Sequence, residues 1–89
     1  MNLLSDVWKT VLDRLKKQLS DTTINTWFDE VTVVTMEDSA LVLHCGNVFK
    51  KSTIEKRFTP QIKEALRDIF SSDLEVKLLD DDQLSAYHG

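Results

Sequence analysis

The stretch Gly46-Asn47-Val48-Phe49 is where the hydrophobic pattern of the chain changes from the period of a strand to that of a helix. Before it, every second residue from 41 to 45 is apolar, as on the buried face of a strand. After it, apolar residues recur at roughly helical spacing as far as Phe58. Asn47 is a residue type that favours the N-cap of a helix. The stretch therefore predicts a corner between a strand and a helix, with Gly46 and Asn47 shaping and capping it.

Two helices are predicted before this corner. Ser5 can cap a first helix that runs to about Leu19, because its apolar residues fall in a stripe about 100° wide. Ser20-Asp21 ends that helix and can cap a short second one. Three apolar residues of the second helix have the spacing that allows it to close over the first: Ile24, Trp27 and Phe28.

A hairpin and two more helices are predicted next. The hairpin strands cover Val31–Met36 and Leu41–Cys45, which contain β-branched and alternating apolar residues, and Glu37-Asp38-Ser39 is the turn between them. A third helix is expected from about Val48 to Phe58. The dipeptide Thr59-Pro60 then predicts a break, because proline suits the first position of a new helix and restricts the residue before it.

The last predicted element is a third strand, in which Leu74, Val76 and Leu78 alternate with Glu75 and Lys77. The element order is therefore ααββααβ. This order predicts an α+β fold of two layers, with the helices packed on a small three-stranded sheet. The arrangement is KH-like, but the GxxG loop with which KH domains bind single strands is absent from the sequence.

The length of 89 residues suits one modest core, so a single α+β interaction domain is predicted over 1–79. The net charge of −4 is uneven: residues 1–70 hold ten acids and ten Lys or Arg, whereas 71–89 hold five acids and one lysine. Three of those acids, Asp80-Asp81-Asp82, directly follow the last strand. Residues 80–89 are therefore predicted to form an acidic flexible tail or the start of a linker.

The sequence lacks the patterns of an enzyme, a metal site or a cofactor site. His44 and Cys45 are adjacent on a predicted strand and so point to opposite faces, while His88 lies in the predicted tail. Two glycines are too few for a glycine-rich phosphate loop. No nucleophile stands beside a base. We therefore expect no catalytic residue, no metal ligand and no cofactor in this chain.

The apolar runs of the sequence are shorter than the roughly 18–20 residues of a membrane span, and the N-terminus lacks the pattern of a signal peptide. A single cysteine fits a reducing compartment. These features predict a cytoplasmic protein that does not bind membranes.

Six cations on the third and fourth helices form the candidate surface for weak contact with single-stranded DNA: Lys50, Lys51, Lys56, Arg57, Lys63 and Arg67. The acids Glu55, Glu64 and Asp68 are interspersed among them and favour an ordinary solvated face. The neutral body of the chain also disfavours tight binding to a duplex. Weak single-strand binding is thus the alternative to a role in protein interaction.

The aromatic residues raise two questions about exposure. Trp8 lies in the first turn of the first helix beside Leu4 and Val7, so it is either core or part of a weak self-association patch formed by these three residues. Phe49 either packs the corner against the core or stands exposed as an aromatic anchor for a partner.

Several features occur together in a recognisable order. A first helix with Trp8, the run Thr23–Phe28, the predicted hairpin, the Asn47-x-Phe49 corner and the pair Arg57-Phe58 follow one another over about residues 3–79. Together they resemble the N-terminal domain (domain I) family of the bacterial chromosomal replication initiator DnaA, in which Arg-Tyr is common at the last of these positions.

The resemblance implies a non-catalytic hub of replication initiation. Such a domain self-associates, helps to recruit and load the replicative helicase at the opened origin, and binds regulator proteins on its first two helices. By position, Trp8 would serve self-association and Phe49 would contact the helicase. Asn47, two residues before Phe49, is expected to be a further partner-binding residue. The polar face of the second helix would contact a regulator or the helicase through Thr23, Asn25 and Thr26.

The family joins this domain through a flexible linker to an ATP-binding AAA+ module and a DNA-binding helix-turn-helix domain, neither of which is in this chain. ATP would therefore bind elsewhere. Two positions depart from the family pattern. Thr23 stands where a well-studied member has an acid, which argues against an electrostatic helicase contact there. Thr53 replaces a common aromatic, which removes one apolar contact of the third helix.

Overall fold

The computed structural model describes residues 3–37 and 39–87. This part of the chain contains, in order, helix α1 (Leu3–Leu15), helix α2 (Asp21–Phe28), strand β1 (Val31–Glu37), strand β2 (Ala40–Cys45), helix α3 (Val48–Thr53), a π-helical segment (Ile54–Phe58), helix α4 (Thr59–Phe70), strand β3 (Glu75–Leu79) and helix α5 (Asp81–Ala86). The predicted order ααββααβ is confirmed, and α5 is an addition to it.

The three strands form one mixed sheet with β2 at its centre. Strands β1 and β2 are antiparallel, so the predicted hairpin is confirmed, and β3 is parallel to β2. The pairing of β1 shifts between Val33 and Thr35, which marks a β-bulge. Because a bulge adds one residue to a strand, Val33 and Met36 both pack against the core despite their odd spacing. Asp38 of the predicted turn lies outside the described residues.

One face of this sheet carries the core, against which the helices pack. The central strand contributes Leu41, Leu43 and Cys45, all fully buried. The helices contribute large buried side chains at helical spacing, among them Val11, Leu15, Ile24, Phe28, Ile62 and Leu66. Each such side chain contributes about 1.5–3 kcal/mol when it leaves water. The α+β fold with helices on a three-stranded sheet is confirmed.

The prediction that Ser5 caps the first helix is wrong, because α1 begins at Leu3 and Ser5 lies inside it. Helix α1 ends at Leu15, four residues before the predicted end at Leu19. The chain tightens there, because the amides of Lys17 and Gln18 donate to carbonyl oxygens three residues back. Ser20 then caps α2 as predicted, its hydroxyl accepting a hydrogen bond from the backbone amide of residue 23 at 3.1 Å.

The predicted break at Thr59-Pro60 is wrong in one respect, because the helix continues through it. The π-helical segment joins α3 to α4, and in it the amide of Thr59 donates to the carbonyl of Ile54, five residues back. Pro60 has no amide hydrogen. The Thr59 hydroxyl donates to the carbonyl oxygens of Ile54 at 3.3 Å and Glu55 at 3.1 Å. The widened π-helical turn, in which the Thr59 hydroxyl supplies a hydrogen-bond donor that proline lacks, thus accommodates Pro60. Helix α4 begins at Thr59.

The predicted flexible tail is wrong over residues 80–87, where the structure contains helix α5. A capping box begins this helix: the Asp80 carboxylate accepts from the amide of Gln83 at 2.8 Å, and the Gln83 side chain accepts from the amide of Asp80 at 2.9 Å. Helix α5 contacts β2 and β3. Residues 88–89 of the predicted tail lie outside the described residues, and a domain boundary at residue 79 stays a prediction.

Two side-chain contacts hold α5 against the sheet face opposite the core, and a glycine makes room for the helix. The His44 ring nitrogen Nε2 lies 2.7 Å from Asp81 Oδ1, and the Tyr87 hydroxyl donates a hydrogen bond to Glu37. A Cβ atom on Gly46 would stand 3.2 Å from Asp81 Oδ1, which is close contact. Gly46 therefore allows the helix to approach the end of β2 closely.

We expect α5 to loosen at both ends of the pH range. Chiefly the Tyr87 hydroxyl, and secondarily Lys77, lowers the pKa of the Glu37 carboxyl. The ionised Glu37 carboxylate therefore stabilises the folded position of α5 above about pH 4.3, and this stabilisation is lost as the pH falls through the lowered pKa. The bond to Glu37 raises the pKa of Tyr87, so that contribution is present below about pH 10 and is lost as the pH rises further.

Protection factors from amide hydrogen exchange over residues 81–86 test this pH dependence. They should be highest between the two limits and lower for Tyr87→Phe than for the wild type at neutral pH. Equal protection in the two proteins would contradict a role for the Tyr87 hydroxyl in holding α5.

Candidate functional site

The corner between β2 and α3 has the predicted cap and an exposed aromatic residue beyond it. The side-chain oxygen of Asn47 accepts a hydrogen bond from the amide of Lys50 at 3.0 Å. The two residues that begin α3 turn away from the core, Val48 being 66% exposed and Phe49 64% exposed. The Phe49 side chain is therefore exposed and not packed into the core, and its role as an anchor for a partner stays a prediction.

Trp27 supports the Phe49 ring from the protein side. The two rings are stacked, with centres 5.8 Å apart and planes 15° apart. Trp27 itself is half-buried and contacts Phe58 at 6.4 Å between ring centres. The spacing of Trp27 in the sequence predicts only packing between the first two helices, so the support of Phe49 is a finding of the structure. No local pattern could show it, because the two rings belong to α2 and α3.

Lys50 fixes α3 to the end of α2. Its ammonium group lies 2.7 Å from Asp29 Oδ1 and 3.0 Å from Glu30 Oε2. The hydrogen bond from Lys50 is the largest cause that lowers the pKa of Asp29, and the bonds to Asp29 and then Glu30 raise the pKa of Lys50. Lys50 therefore positions the helix that carries Phe49, whereas the sequence predicts it only as part of the candidate nucleic-acid surface.

A shallow groove runs along the outer side of α3 and the π-helical segment. We call it the Phe49 groove, and it is lined by Val48, Phe49, Ser52, Thr53, Lys56 and Arg57. The Thr53 hydroxyl donates to the Phe49 carbonyl at 3.1 Å and so does not reach outward as a free donor. The groove combines two exposed apolar side chains with two cationic ones.

The six cations of the candidate nucleic-acid surface do not form a continuous positive face. Besides Lys50, three of them pair with a carboxylate: Lys51 with Glu55 at 3.3 Å, Lys63 with Glu75 at 3.4 Å and Arg67 with Asp73 at 3.6 Å. Over residues 3–37 and 39–87, Lys56 and Arg57 make no such ion pair. This neutralisation weakens the surface for a polyanion. Nucleic-acid contact by these residues stays a prediction.

The polar face of α2 presents the other predicted partner-binding residues. Asn25 and Thr26 are exposed, whereas Thr23 is half-buried and its hydroxyl shares a hydrogen bond with that of Ser20 at 2.9 Å. Helix α2 contacts α3. These residues therefore stand on an element next to the Phe49 groove, but they do not line it.

The predicted self-association residues lie on the first two turns of α1. Trp8 is only 7% exposed and belongs to the core, where its ring centre lies 6.2 Å from that of Phe28. Leu4 and Val7 are half-buried. The most exposed apolar side chain on these two turns is Leu3, at 72%, which precedes Leu4 and is not one of the predicted self-association residues.

No group of three or more His, Cys, Asp or Glu side chains suited to a metal ion occurs among the described residues. In the same part of the chain, no helix is both long and apolar enough to cross a membrane. The His44 ring nitrogen Nε2 contacts Asp81 Oδ1. His88 lies outside the described residues.

These features define a small α+β domain whose described surface carries an aromatic and cationic groove at a strand-to-helix corner. The family model of the DnaA N-terminal domain matches residues 5–68. The chain therefore belongs to the DnaA N-terminal domain family.

Relatives with the name chromosomal replication initiator protein DnaA support this assignment. The protein from Crocosphaera subtropica is 36% identical over 72 residues, which is 81% of this chain and 16% of the relative. That from Borreliella afzelii is 33% identical over 66 residues, 74% of this chain and 14% of the relative. That from Symbiobacterium thermophilum is 28% identical over 76 residues, 85% of this chain and 17% of the relative. The chain thus spans about a sixth of the length of these curated relatives.

Proposed function

We propose that this domain is a non-catalytic protein-interaction module of a replication initiator, which recruits the replicative helicase and regulator proteins at the origin. The observation that carries the proposal is the exposure of Phe49, at 64%, on the stacked support of Trp27. An exposed aromatic side chain with a fixed position is typical of the residues that dominate binding at protein interfaces. The family membership of the chain supports replication initiation as the process.

The fixed position of Phe49 matters for the strength of such an interface. Asn47 caps the helix, Lys50 ties it to Asp29 and Glu30, and Trp27 supports the ring. A side chain that is already ordered loses less conformational entropy when a partner binds. The helicase is therefore assigned to the Phe49 groove, and the exposed Asn25 and Thr26 on α2 to a regulator or to the margin of the same contact.

Replacing Phe49 with alanine should weaken binding of the cognate replicative helicase by at least about thirtyfold, since truncation of a dominant interface residue costs 2 kcal/mol or more. Retention of the helicase on the immobilised chain, measured over a helicase concentration series, tests this. Phe70→Ala is the matched control, because Phe70 is also an exposed phenylalanine, at 37%, but ends α4. Equal retention by wild type and Phe49→Ala would remove Phe49 from the helicase site.

Weak self-association through Leu4, Val7 and Trp8 is the second part of the proposal. It must be weak, because Trp8 is mostly buried and a stable interface needs about 800 Å² per partner. Sedimentation velocity should show a rise in the average sedimentation coefficient only at high protein concentration. Leu3→Glu, next to this patch, should abolish the rise. Ideal monomer behaviour of the wild type up to millimolar concentration would contradict self-association.

A further inference from the structure

The Phe49 groove places an unbalanced positive charge beside an apolar platform. Val48 and Phe49 form the platform, and Lys56 and Arg57 on the π-helical segment line the groove next to it. The one acid between α3 and these cations, Glu55, is already bonded by Lys51 at 3.3 Å and 3.4 Å. The two cations are thus the charged groups that the groove offers to a ligand.

Arg57 is also partly ordered before any partner binds. Its guanidinium carbon lies 5.5 Å from the centre of the Phe58 ring, a cation–π contact on an aromatic residue that is itself buried. Both Lys56 and Arg57 are exposed and free of ion pairs within residues 3–37 and 39–87. Their positive charge therefore points to a carboxylate on the partner.

We propose that the Phe49 groove receives a short protein segment in which an apolar side chain stands beside one or two carboxylates. The inference rests on the proposed function, since it specifies the chemistry of the partner at the same site. The apolar side chain packs on Phe49 and Val48, where it completes the burial of surface that is now exposed. The carboxylates accept charge-assisted hydrogen bonds from Lys56 and from the forked guanidinium of Arg57.

A single-stranded nucleic acid fits this groove less well than such a segment does. Single-strand binding combines several stacking aromatic residues with a cationic track that follows the backbone over several nucleotides. Among the described residues, the groove offers one exposed aromatic ring and two cations without an ion pair, and the neighbouring cations Lys51, Lys63 and Arg67 are paired with acids. Residues 1–70, which carry the groove, have no net charge, so they provide no general attraction for a polyanion, whereas two local cations suffice for one or two carboxylates.

Titration of the ¹⁵N-labelled chain with three short synthetic peptides tests the proposal. The first peptide has a central Leu-Phe pair flanked by glutamates, the second replaces the glutamates by glutamines, and the third replaces the Leu-Phe pair by alanines. We expect the first peptide to shift the amide signals of residues 48–57 and the indole signal of Trp27, and both changes in the peptide to weaken binding. Equal binding of the glutamate and glutamine peptides, or no shift up to millimolar peptide, would overturn the proposal.

Variants of the protein test the same contact from the other side. Lys56→Gln/Arg57→Gln should weaken binding of the first peptide by roughly three- to tenfold, the effect expected from two exposed ion pairs. Lys16→Gln/Lys17→Gln makes the same charge change on the turn after α1 and should leave the affinity unchanged. Equal weakening by both double variants would assign the effect to net charge and overturn the proposed site. Shifts of residues 48–57 by oligothymidylate, with a steep salt dependence and without peptide binding, would overturn it in favour of nucleic acid.

The helicase assay separates failure of this inference from failure of the proposed function. Loss of helicase retention in Phe49→Ala but not in Lys56→Gln/Arg57→Gln would support the helicase contact at Phe49. It would contradict the inference that the partner binds through carboxylates. Full helicase retention in Phe49→Ala, together with glutamate-dependent peptide binding in the groove, would keep the partner chemistry and overturn the helicase as the partner.

Discussion

Replacing Phe58 with alanine is expected to lower the free energy of unfolding by about 3–5 kcal/mol, the cost of truncating a buried phenylalanine. Phe58 is only 4% exposed, and its ring centre lies 5.5 Å from that of Phe28 and 6.4 Å from that of Trp27. It also ends the π-helical segment, where α4 begins. Truncation therefore leaves a cavity where three aromatic rings meet. Since domains are commonly stable by about 5–15 kcal/mol, much of the stability would be lost.

Urea unfolding followed by far-ultraviolet circular dichroism measures this loss. Phe49→Ala is the matched control, because it removes the same atoms from a ring that is 64% exposed. It should cost about 1 kcal/mol or less, most of it from the lost stacking on Trp27. Similar losses for the two variants would mean that the cavity at Phe58 closes by rearrangement, or that Phe49 contributes far more to folding than its exposure indicates.

The strand-to-helix corner could be predicted from the sequence because its signals are local. The alternation over 41–45 defines the buried face of β2. Asn47 caps α3 by accepting a hydrogen bond from the amide of Lys50, only three residues further along the chain. The same holds for the hairpin and for Ser20 as the cap of α2. In each of these cases, the residues that determine the structure lie within a few positions of one another.

Elements that depend on distant contacts could not be predicted in the same way. Helix α5 is held by contacts of His44 with Asp81 and of Glu37 with Tyr87, which join residues far apart in the chain. Without them, three consecutive aspartates indicate a solvated tail. One local signal was nevertheless present, because Asp80 and Gln83 have the three-residue spacing of a capping box.

The sequence predicted where the candidate site around Phe49 lies in the chain, but it could not predict whether the Phe49 side chain is exposed. Sequence and family resemblance indicated Phe49, yet only the packing of α2 against α3 decides that its ring stacks on Trp27 and stays outside the core. Likewise, the sequence indicates only that Lys50 is a surface cation. Its ion pairs with Asp29 and Glu30 arise from the way the fold places α2 beside α3. Periodicity reports which face of an element is apolar, whereas the pairing of charges depends on which elements become neighbours.

Replacing Val42 with aspartate is expected to release α5 while the core on the other face of the sheet stays in place. Val42 is completely buried, yet it lies outside the core cluster, on the face of β2 opposite Leu41 and Leu43. Helix α5 contacts β2 and β3, so we infer that it covers Val42. A buried carboxylate without a partner is strongly destabilising, and the neighbouring Lys77 already contacts Glu37 at 3.5 Å. Departure of α5 would give the carboxylate access to water.

Leu41→Asp is the control, because it places the same charge one residue earlier in β2 but in the core. It should unfold the whole domain, with loss of the near-ultraviolet circular dichroism of the aromatic cluster. Val42→Asp should keep that signal and lose the amide protection of residues 81–86. Retained protection in Val42→Asp would show that α5 is not what covers this side chain. Loss of both signals in both variants would contradict this prediction and show that the two faces of the sheet fold as one cooperative unit.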